Sequence, residues 1–150
     1  MTPELHQILI QNDVQGEWEY PPGANWSEEI ARVKKLTPEL EEILESSLRL
    51  DDGVQDASFF ADLGILAKQK NPNGTVYLCY LICIRFSWFG GMFSIYGKNA
   101  EKYDTSKIIQ VLNRHGYTYV QACELDTAYD GINIPYESNL TWWVRYFDYL

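Results

Sequence analysis

The sequence predicts an α+β fold, in which a helical N-terminal third packs on a mostly antiparallel sheet of about four to five strands that carries one further helix. Apolar residues recur at helical spacing in the first 56 residues, and from residue 57 onward they follow strand patterns separated by turn residues. No stretch rich in Gly, Ser or Pro divides the chain. We therefore expect residues 1–150 to form one domain, with a helical part at 1–56 and a β-rich part at 57–150.

Three helices are predicted in the N-terminal part. The first begins with Thr2 as its cap and ends near Asn12. The second begins near Asn25, because Glu28 three residues later completes a pattern that resembles a capping box. The string Thr37-Pro38-Glu39-Leu40 repeats the start of the first helix, so it predicts a third helix at that point.

Three strands are predicted to follow as an antiparallel meander. Alternating apolar residues at 59–65 indicate the first strand, and a turn-forming string at 71–74 precedes the second. Residues 75–86 are apolar on both faces, which is typical of a central strand covered on both sides. Residues 92–96 complete the meander.

The remainder of the chain is predicted as a helix, a short strand, a loop and a last strand. Asp104 or Thr105 caps the helix, and residues 117–122 form the short strand. Residues 125–137 are predicted to be a loop. Residues 140–150 are ambiguous, because their residue types favour a strand while their apolar spacing also fits a helix. We assign them to a strand.

The charge of the chain is distributed unevenly. Its formal net charge is −9, and residues 1–56 hold 13 Asp or Glu against 4 Lys or Arg, whereas residues 57–150 hold 8 of each. A negative chain repels phosphate backbones, so direct nucleic-acid binding is not expected, but its field favours a basic protein partner. The alternative is that solvated helix faces are often rich in Glu, which keeps a protein soluble. The candidate partner-binding residues are Glu28, Glu29, Glu39, Glu41, Glu42 and Glu45.

Motifs for catalysis or metal binding are absent from the sequence. It contains no Gly-rich phosphate loop, no Gly-x-Ser-x-Gly elbow and no His-Glu-x-x-His pair. Cys79, Cys83 and Cys123 match neither a disulfide framework nor a zinc site. We therefore assign no catalytic residue, metal or cofactor, and the sequence favours a protein that is not an enzyme.

A second candidate site combines carboxylates with aromatic residues near the C-terminal end. Such a mixture is common in ligand clefts, and paired carboxylates can perform acid and base chemistry on sugars. The alternative interpretation is that the acidic residues build a turn and the rings pack the core. The members of this site are Glu124, Asp126, Tyr129, Asp130, Trp142, Trp143 and Arg145.

No motif identifies a family. In size, acidity and lack of an active-site motif, the chain resembles the small acidic α+β proteins with which bacteria neutralise toxins. The first residues lack the pattern of a secretory signal, and the apolar run at residues 76–84 is too short to span a bilayer, so we expect a cytoplasmic protein with no membrane partner. We expect a non-catalytic protein-binding module, of immunity or adaptor type, whose acidic helical face takes a basic partner. The alternative is a small-molecule-binding protein or hydrolase that uses the second site.

Overall fold

The structure, a computed structural model, describes residues 1–18, 21–53, 60–133 and 140–148. Its helices α1 to α5 are Pro3–Gln11, Trp26–Leu44, Thr105–Arg114, Ala122–Leu125 and Trp142–Phe147. Its strands β1 to β5 are Arg49–Asp51, Phe60–Lys70, Val76–Ser87, Met92–Tyr96 and Thr118–Tyr119. Short 3₁₀ turns lie at Phe89–Gly91 and Ala100–Lys102. The predicted α+β class is confirmed. Among the described residues, no helix combines the length and apolarity that crossing a membrane requires.

The strands form one sheet in the order β1-β2-β3-β4-β5. The β1–β2, β2–β3 and β3–β4 pairs are antiparallel, which confirms the predicted meander, and β5 joins β4 in parallel. Strand β1 was not predicted, because its three residues are too few to show an alternating pattern. Strand β3 is central as predicted, but it is covered only in its C-terminal half, since Val76, Tyr77 and Leu78 are exposed.

Helix α2 replaces the two separate helices that were predicted around Thr37 and Pro38. It continues through Pro38, and the Thr37 hydroxyl donates to the Val33 carbonyl (3.0 Å) instead of capping a new helix. An interior proline costs a helix about 3 kcal/mol. Burial of five apolar side chains, each contributing about 1.5–3 kcal/mol, outweighs that cost. These side chains form one stripe that crosses the proline: Ile30, Val33, Leu36, Leu40 and Leu44.

The predicted C-terminal strand is wrong, because the described part of that segment forms helix α5. Thr141 caps the helix by accepting a hydrogen bond from the Val144 amide (3.3 Å). Helical spacing places Trp142, Arg145 and Tyr146 together on a buried face. Arg145 finds a buried carboxylate there, and this long-range contact overrides the strand preference of the aromatic residues.

The sheet separates two layers of helix. On one face, Arg85 of β3 reaches α5 and donates to the Phe147 carbonyl (2.7 Å). On the other face, the Phe86 ring packs on Tyr117 at 5.1 Å between centroids, and the Arg32 guanidinium of α2 lies over the same Tyr117 ring (4.7 Å). The first face therefore carries polar side chains beneath α5, while the buried apolar cluster includes residues of both layers, such as Phe147 of α5 and Ile30 of α2.

Candidate functional site

The predicted partner-binding residues all lie on α2 or at its C-terminal cap, and several already have partners within the chain. Glu29 pairs with Arg32 one turn away (3.0 Å). Glu39 accepts from Arg114 of α3 at 2.6 Å, so this ion pair joins the two helices. An acidic residue that is already paired with a base presents little charge to an outside partner. Both residues therefore add less net charge to a binding surface than an unpaired carboxylate would, and each exposed pair adds at most about 1 kcal/mol to stability.

The remaining acidic residues of the set divide into one structural residue and three free ones. The Glu41 carboxylate accepts a hydrogen bond from the Leu48 amide (2.7 Å) and so holds the chain as it leaves the helix. Glu28, Glu42 and Glu45 are exposed and make no ion pair within the described part of the chain. Only these three keep their full charge available to solvent.

Glu28 lies far from the other two free carboxylates. It stands in the first turn of α2, and Glu42 stands about 21 Å further along the axis at the usual rise per residue. Exposed bases, Lys34 and Lys35, lie between them. Because charges in physiological salt are screened over about 8 Å, Glu28 does not reinforce Glu42. The free acidic surface is therefore the C-terminal end of the helix, and we call Glu42 and Glu45 the acidic helix end.

The acidic helix end occupies positions where carboxylates weaken a helix. The last turn of α2 contains no basic residue, and the C-terminal end of a helix carries partial negative charge, so each carboxylate there costs about 0.3–1 kcal/mol. Glu45 also adopts the left-handed conformation (φ 49°, ψ 36°), which favours glycine. Neither residue is explained by the stability of its own helix.

The second candidate site is brought together only in part. Trp142 donates its indole N–H to Asp130 Oδ1 (3.1 Å), and its ring meets Tyr129 at 4.7 Å between centroids. His6 of α1 also reaches Asp130 Oδ1 with its Nε2 (2.9 Å). The hydrogen bond from His6 holds the pKa of Asp130 below its usual value. Tyr129, Asp130 and Trp142 therefore form one cluster, which includes a histidine that the sequence did not indicate.

Other members of the second site point elsewhere. Glu124 is half-buried and Asp126 is exposed, and neither is joined to Asp130 by a hydrogen bond among the described residues. Trp143 packs on a different side of α5, where its ring stacks on Phe147 at 5.1 Å. The predicted grouping of carboxylates and tryptophans is thus not a single cluster in the part of the chain that the structure describes.

Arg145 is fully buried, and each of its three side-chain nitrogens donates a hydrogen bond within the protein. Its Nε donates to Asp13 Oδ1 (2.9 Å), and its Nη2 and Nη1 donate to the carbonyls of Glu17 (2.8 Å) and Trp18 (3.3 Å). Sequence reasoning missed Asp13, because a lone Asp after a helix resembles an ordinary turn residue. This guanidinium fixes the chain beyond α1 against α5 and is not free to bind a ligand.

Asp13 is also the centre of a wider hydrogen-bond network. Its carboxylate accepts hydrogen bonds from the Tyr129 hydroxyl, from the Ile132 amide (2.8 Å) and from Asn133 Nδ2 (2.8 Å). Burial raises the pKa of Tyr129, and the hydrogen bond to Asp13 raises it further, so the phenol stays protonated as the donor. The network connects the segment after α1 to the segment before residue 134, so its role is to stabilise the fold.

A second polar cluster lies on the sheet beneath α5. Arg85 donates to both oxygens of Asp62, from Nε (2.7 Å) and from Nη2 (2.8 Å), and the Tyr96 hydroxyl adds a third hydrogen bond to Asp62 (3.1 Å). Burial opposes the charge of Arg85, but the hydrogen bonds and charge of Asp62 outweigh it, so the pKa of Arg85 is raised. One signal could have revealed the pair: Asp62 is the one acidic residue of β2, and Arg85 is the one charged residue of the neighbouring strand β3.

The same cluster contains a cysteine whose thiol is not activated. Cys83 is completely buried, and burial together with the negative charge of Asp62 raises its pKa well above the ordinary value. A thiol is nucleophilic only as the thiolate, so Cys83 remains inert. The arrangement of Asp62, Arg85 and Tyr96 around it stabilises the sheet and provides no nucleophile.

Across the described ranges, no group of three or more His, Cys, Asp or Glu side chains could hold a metal ion. No family model matches the chain, and searches of curated proteins and of solved structures find no significant match.

Proposed function

We propose that this protein is a non-catalytic protein-binding module, of immunity or adaptor type, whose acidic helix end takes a basic protein partner. The observation that carries the proposal is the placement of Glu42 and Glu45. Both are exposed, both lack an ion pair among the described residues, and both stand where a carboxylate opposes the helix dipole.

Carboxylates at these two positions lower the stability of α2, so their presence supports a role other than stabilising the fold. Residues that break a local rule without a compensating contact are expected at functional sites. A chain of net charge −9 also surrounds these carboxylates with a negative field. Such a field accelerates encounter with a basic protein, and the acceleration falls as salt increases.

The alternative function, small-molecule binding or hydrolysis at the second site, is supported by the partly exposed pair of His6 and Asp130. It is the weaker proposal, because Arg145 and Trp142 are buried and already occupied. Affinity or activity that survives Asp126→Asn combined with Asp130→Asn would exclude it.

We also place the protein in the cytoplasm, because free cysteines such as Cys79 persist in reducing compartments.

Substitution Glu45→Gly is expected to raise the free energy of unfolding by about 1 kcal/mol, since glycine adopts the left-handed conformation without strain. The same substitution is expected to slow association with the basic partner, because it removes a free carboxylate. Urea denaturation measures the first effect. Glu42→Gly is the matched control: its backbone is helical, so it is expected to lower stability by about 1 kcal/mol. A loss of stability in Glu45→Gly would contradict this account of the helix end.

Reversal of both charges tests the binding surface directly. The wild-type chain is immobilised, exposed to a lysate of its native organism at low salt and eluted with salt, and the captured protein is purified. Its association rate with Glu42→Lys/Glu45→Lys is expected to fall at least about tenfold at low salt. Glu101→Lys/Asp126→Lys, at exposed positions outside α2, changes the net charge equally and is expected to retain most of the rate. Equal rates for the two double variants would refute the proposed surface.

A further inference from the structure

Strands β2 and β3 extend well beyond the rest of the sheet. Strand β1 pairs with β2 only at residues 62–64, and β4 pairs with β3 only at residues 83–86. Residues 65–82 therefore form a two-stranded ribbon, which we call the β-arm. Two hydrogen bonds stabilise the turn of the β-arm: the Asn71 side chain accepts one from the Thr75 amide (2.9 Å), and the Gly74 amide donates one to the Asn71 carbonyl (2.9 Å).

The outer edge of β3 has no strand partner at the end of the β-arm. The amides of Lys98 and Asn99 donate to the carbonyls of Tyr80 (3.1 Å) and Leu81 (2.9 Å), which covers the edge next to the sheet body. From Val76 to Cys79, no described strand pairs with this edge. Unpaired backbone groups along such an edge are a template for another strand.

The two edges of the β-arm differ in chemistry. The β2 edge carries Lys68 and Lys70, and charged residues are a common device against unwanted strand pairing. The β3 edge lacks this protection, because the string from Thr75 to Ile84 contains no charged residue and no proline. Its large apolar residues are exposed to solvent: Val76 by 52%, Tyr77 by 41% and Leu78 by 58%.

We propose that this edge pairs with the same edge of a second copy of the chain, antiparallel along residues 76–79, to give a symmetric dimer with a continuous four-stranded ribbon. Identical edges match in length and in apolar pattern, and two-fold symmetry is the commonest arrangement of homo-oligomers. The surface is separate from the acidic helix end, so the two proposals can fail independently.

The distribution of charge along the chain favours a second copy as the binding partner of this edge. No Asp or Glu occurs between residues 63 and 100, so two copies of net charge −9 meet where neither carries a carboxylate. The lysines lie on β2, and the two β2 strands of the ribbon are about 14 Å apart, which exceeds the screening length of about 8 Å in physiological salt. The residues that meet, 76–79 of β3 and of its copy, carry no charged side chain, and Lys98, which adjoins the edge at Tyr80, donates from its Nζ to Gln69 (3.2 Å).

Analytical ultracentrifugation of the full chain over a concentration series tests the proposal. The wild type is expected to show a reversible monomer–dimer equilibrium, and Leu78→Glu is expected to be monomeric at the same concentrations. Leu78 lies opposite Lys68 in the β2–β3 register, so Leu78→Glu is expected to give the arm a favourable cross-strand pair. Ile132→Glu, at a residue 59% exposed, is the matched control and is expected to dimerise like the wild type. A wild type that is monomeric throughout, or a Leu78→Glu variant that still dimerises, would overturn the proposal.

Hydrogen exchange locates the contact within the β-arm. The amides that face away from β2, those of Val76 and Leu78, are expected to exchange more slowly as the wild-type concentration rises, and to stay fast in Leu78→Glu. Val76→Glu, placed opposite Lys70, provides a second disrupting variant if the first one unfolds. A wild-type dimer in which these amides remain unprotected would mean that another surface is used, and the proposed pairing would be wrong.

Discussion

Replacing Arg145 with methionine is expected to lower the free energy of unfolding by about 3–5 kcal/mol, because it leaves the buried Asp13 carboxylate without its cation. Both side chains of this pair are wholly buried. The guanidinium also donates to the carbonyls of Glu17 and Trp18, so the substitution leaves two further acceptors without their donors.

The aromatic surroundings of Arg145 add to this expectation. Its guanidinium lies over the rings of Phe89 (4.5 Å), Tyr146 (4.9 Å) and Trp18 (5.1 Å). Desolvated contacts of this kind contribute about 2 kcal/mol when they are favourable. Methionine fills part of the volume but supplies neither the charge nor the planar donors.

Urea denaturation followed by tryptophan fluorescence measures the effect, and an unchanged m-value would show that stability alone has changed. Arg114→Met is the matched control, since Arg114 pairs with Glu39 on the surface with 62% of its side chain exposed. Removal of that pair is expected to cost no more than about 1 kcal/mol. If Arg145→Met proved as mild as Arg114→Met, the network around Asp13 would not hold the fold together.

This experiment also decides how Arg145 is to be interpreted. The sequence places it two and three residues after Trp143 and Trp142, and tryptophan and arginine are enriched at binding hot spots. A residue that contacts a ligand can be replaced with little loss of stability, whereas a buried structural cation cannot. A large loss of stability would therefore remove Arg145 from any ligand site and leave Asp126 and Asp130 as its exposed carboxylates.

The elements that the sequence predicts correctly are those with strong local signals. The cap at Asp104 and the apolar spacing after it define α3, and the turn at residues 71–74 separates two long strands. The errors occur where a distant contact decides the outcome. Helix α2 passes through Pro38 because its buried stripe is continuous, and α5 is helical because Arg145 must reach Asp13. Neither contact is visible in a local window of sequence.

The candidate site shows the same division. The excess of acidic residues can be counted in the sequence, but its distribution depends on tertiary contacts. Glu39 is neutralised by Arg114, which lies 75 residues away along the chain. The Glu41 carboxylate accepts a hydrogen bond from the Leu48 amide in the segment that follows α2. What remains of the predicted acidic face is Glu28, in the first turn of α2, and the acidic helix end of Glu42 and Glu45. The strain at Glu45 is visible only in its left-handed backbone conformation.

Replacing Arg85 with methionine is expected to lower the free energy of unfolding by about 3 kcal/mol, the lower end of the range for a broken buried pair. The lower value is expected because 15% of the Arg85 side chain is exposed, which allows water to reach the carboxylate of Asp62. The substitution also frees the Phe147 carbonyl, so the end of α5 loses its link to the sheet. Hydrogen exchange of residues 145–148 is expected to accelerate as a consequence.

The double variant Asp62→Asn/Arg85→Met separates the two causes. Asparagine removes the buried charge but can still accept the hydrogen bond from Tyr96, so the double variant is expected to be more stable than Arg85→Met alone. The difference in urea midpoint between the two variants measures the cost of the uncompensated carboxylate. If the double variant is no more stable, the loss comes from the broken link to α5 and not from the buried charge. Amide exchange at the end of α5 is expected to remain fast in both variants, because neither restores the hydrogen bond to the Phe147 carbonyl.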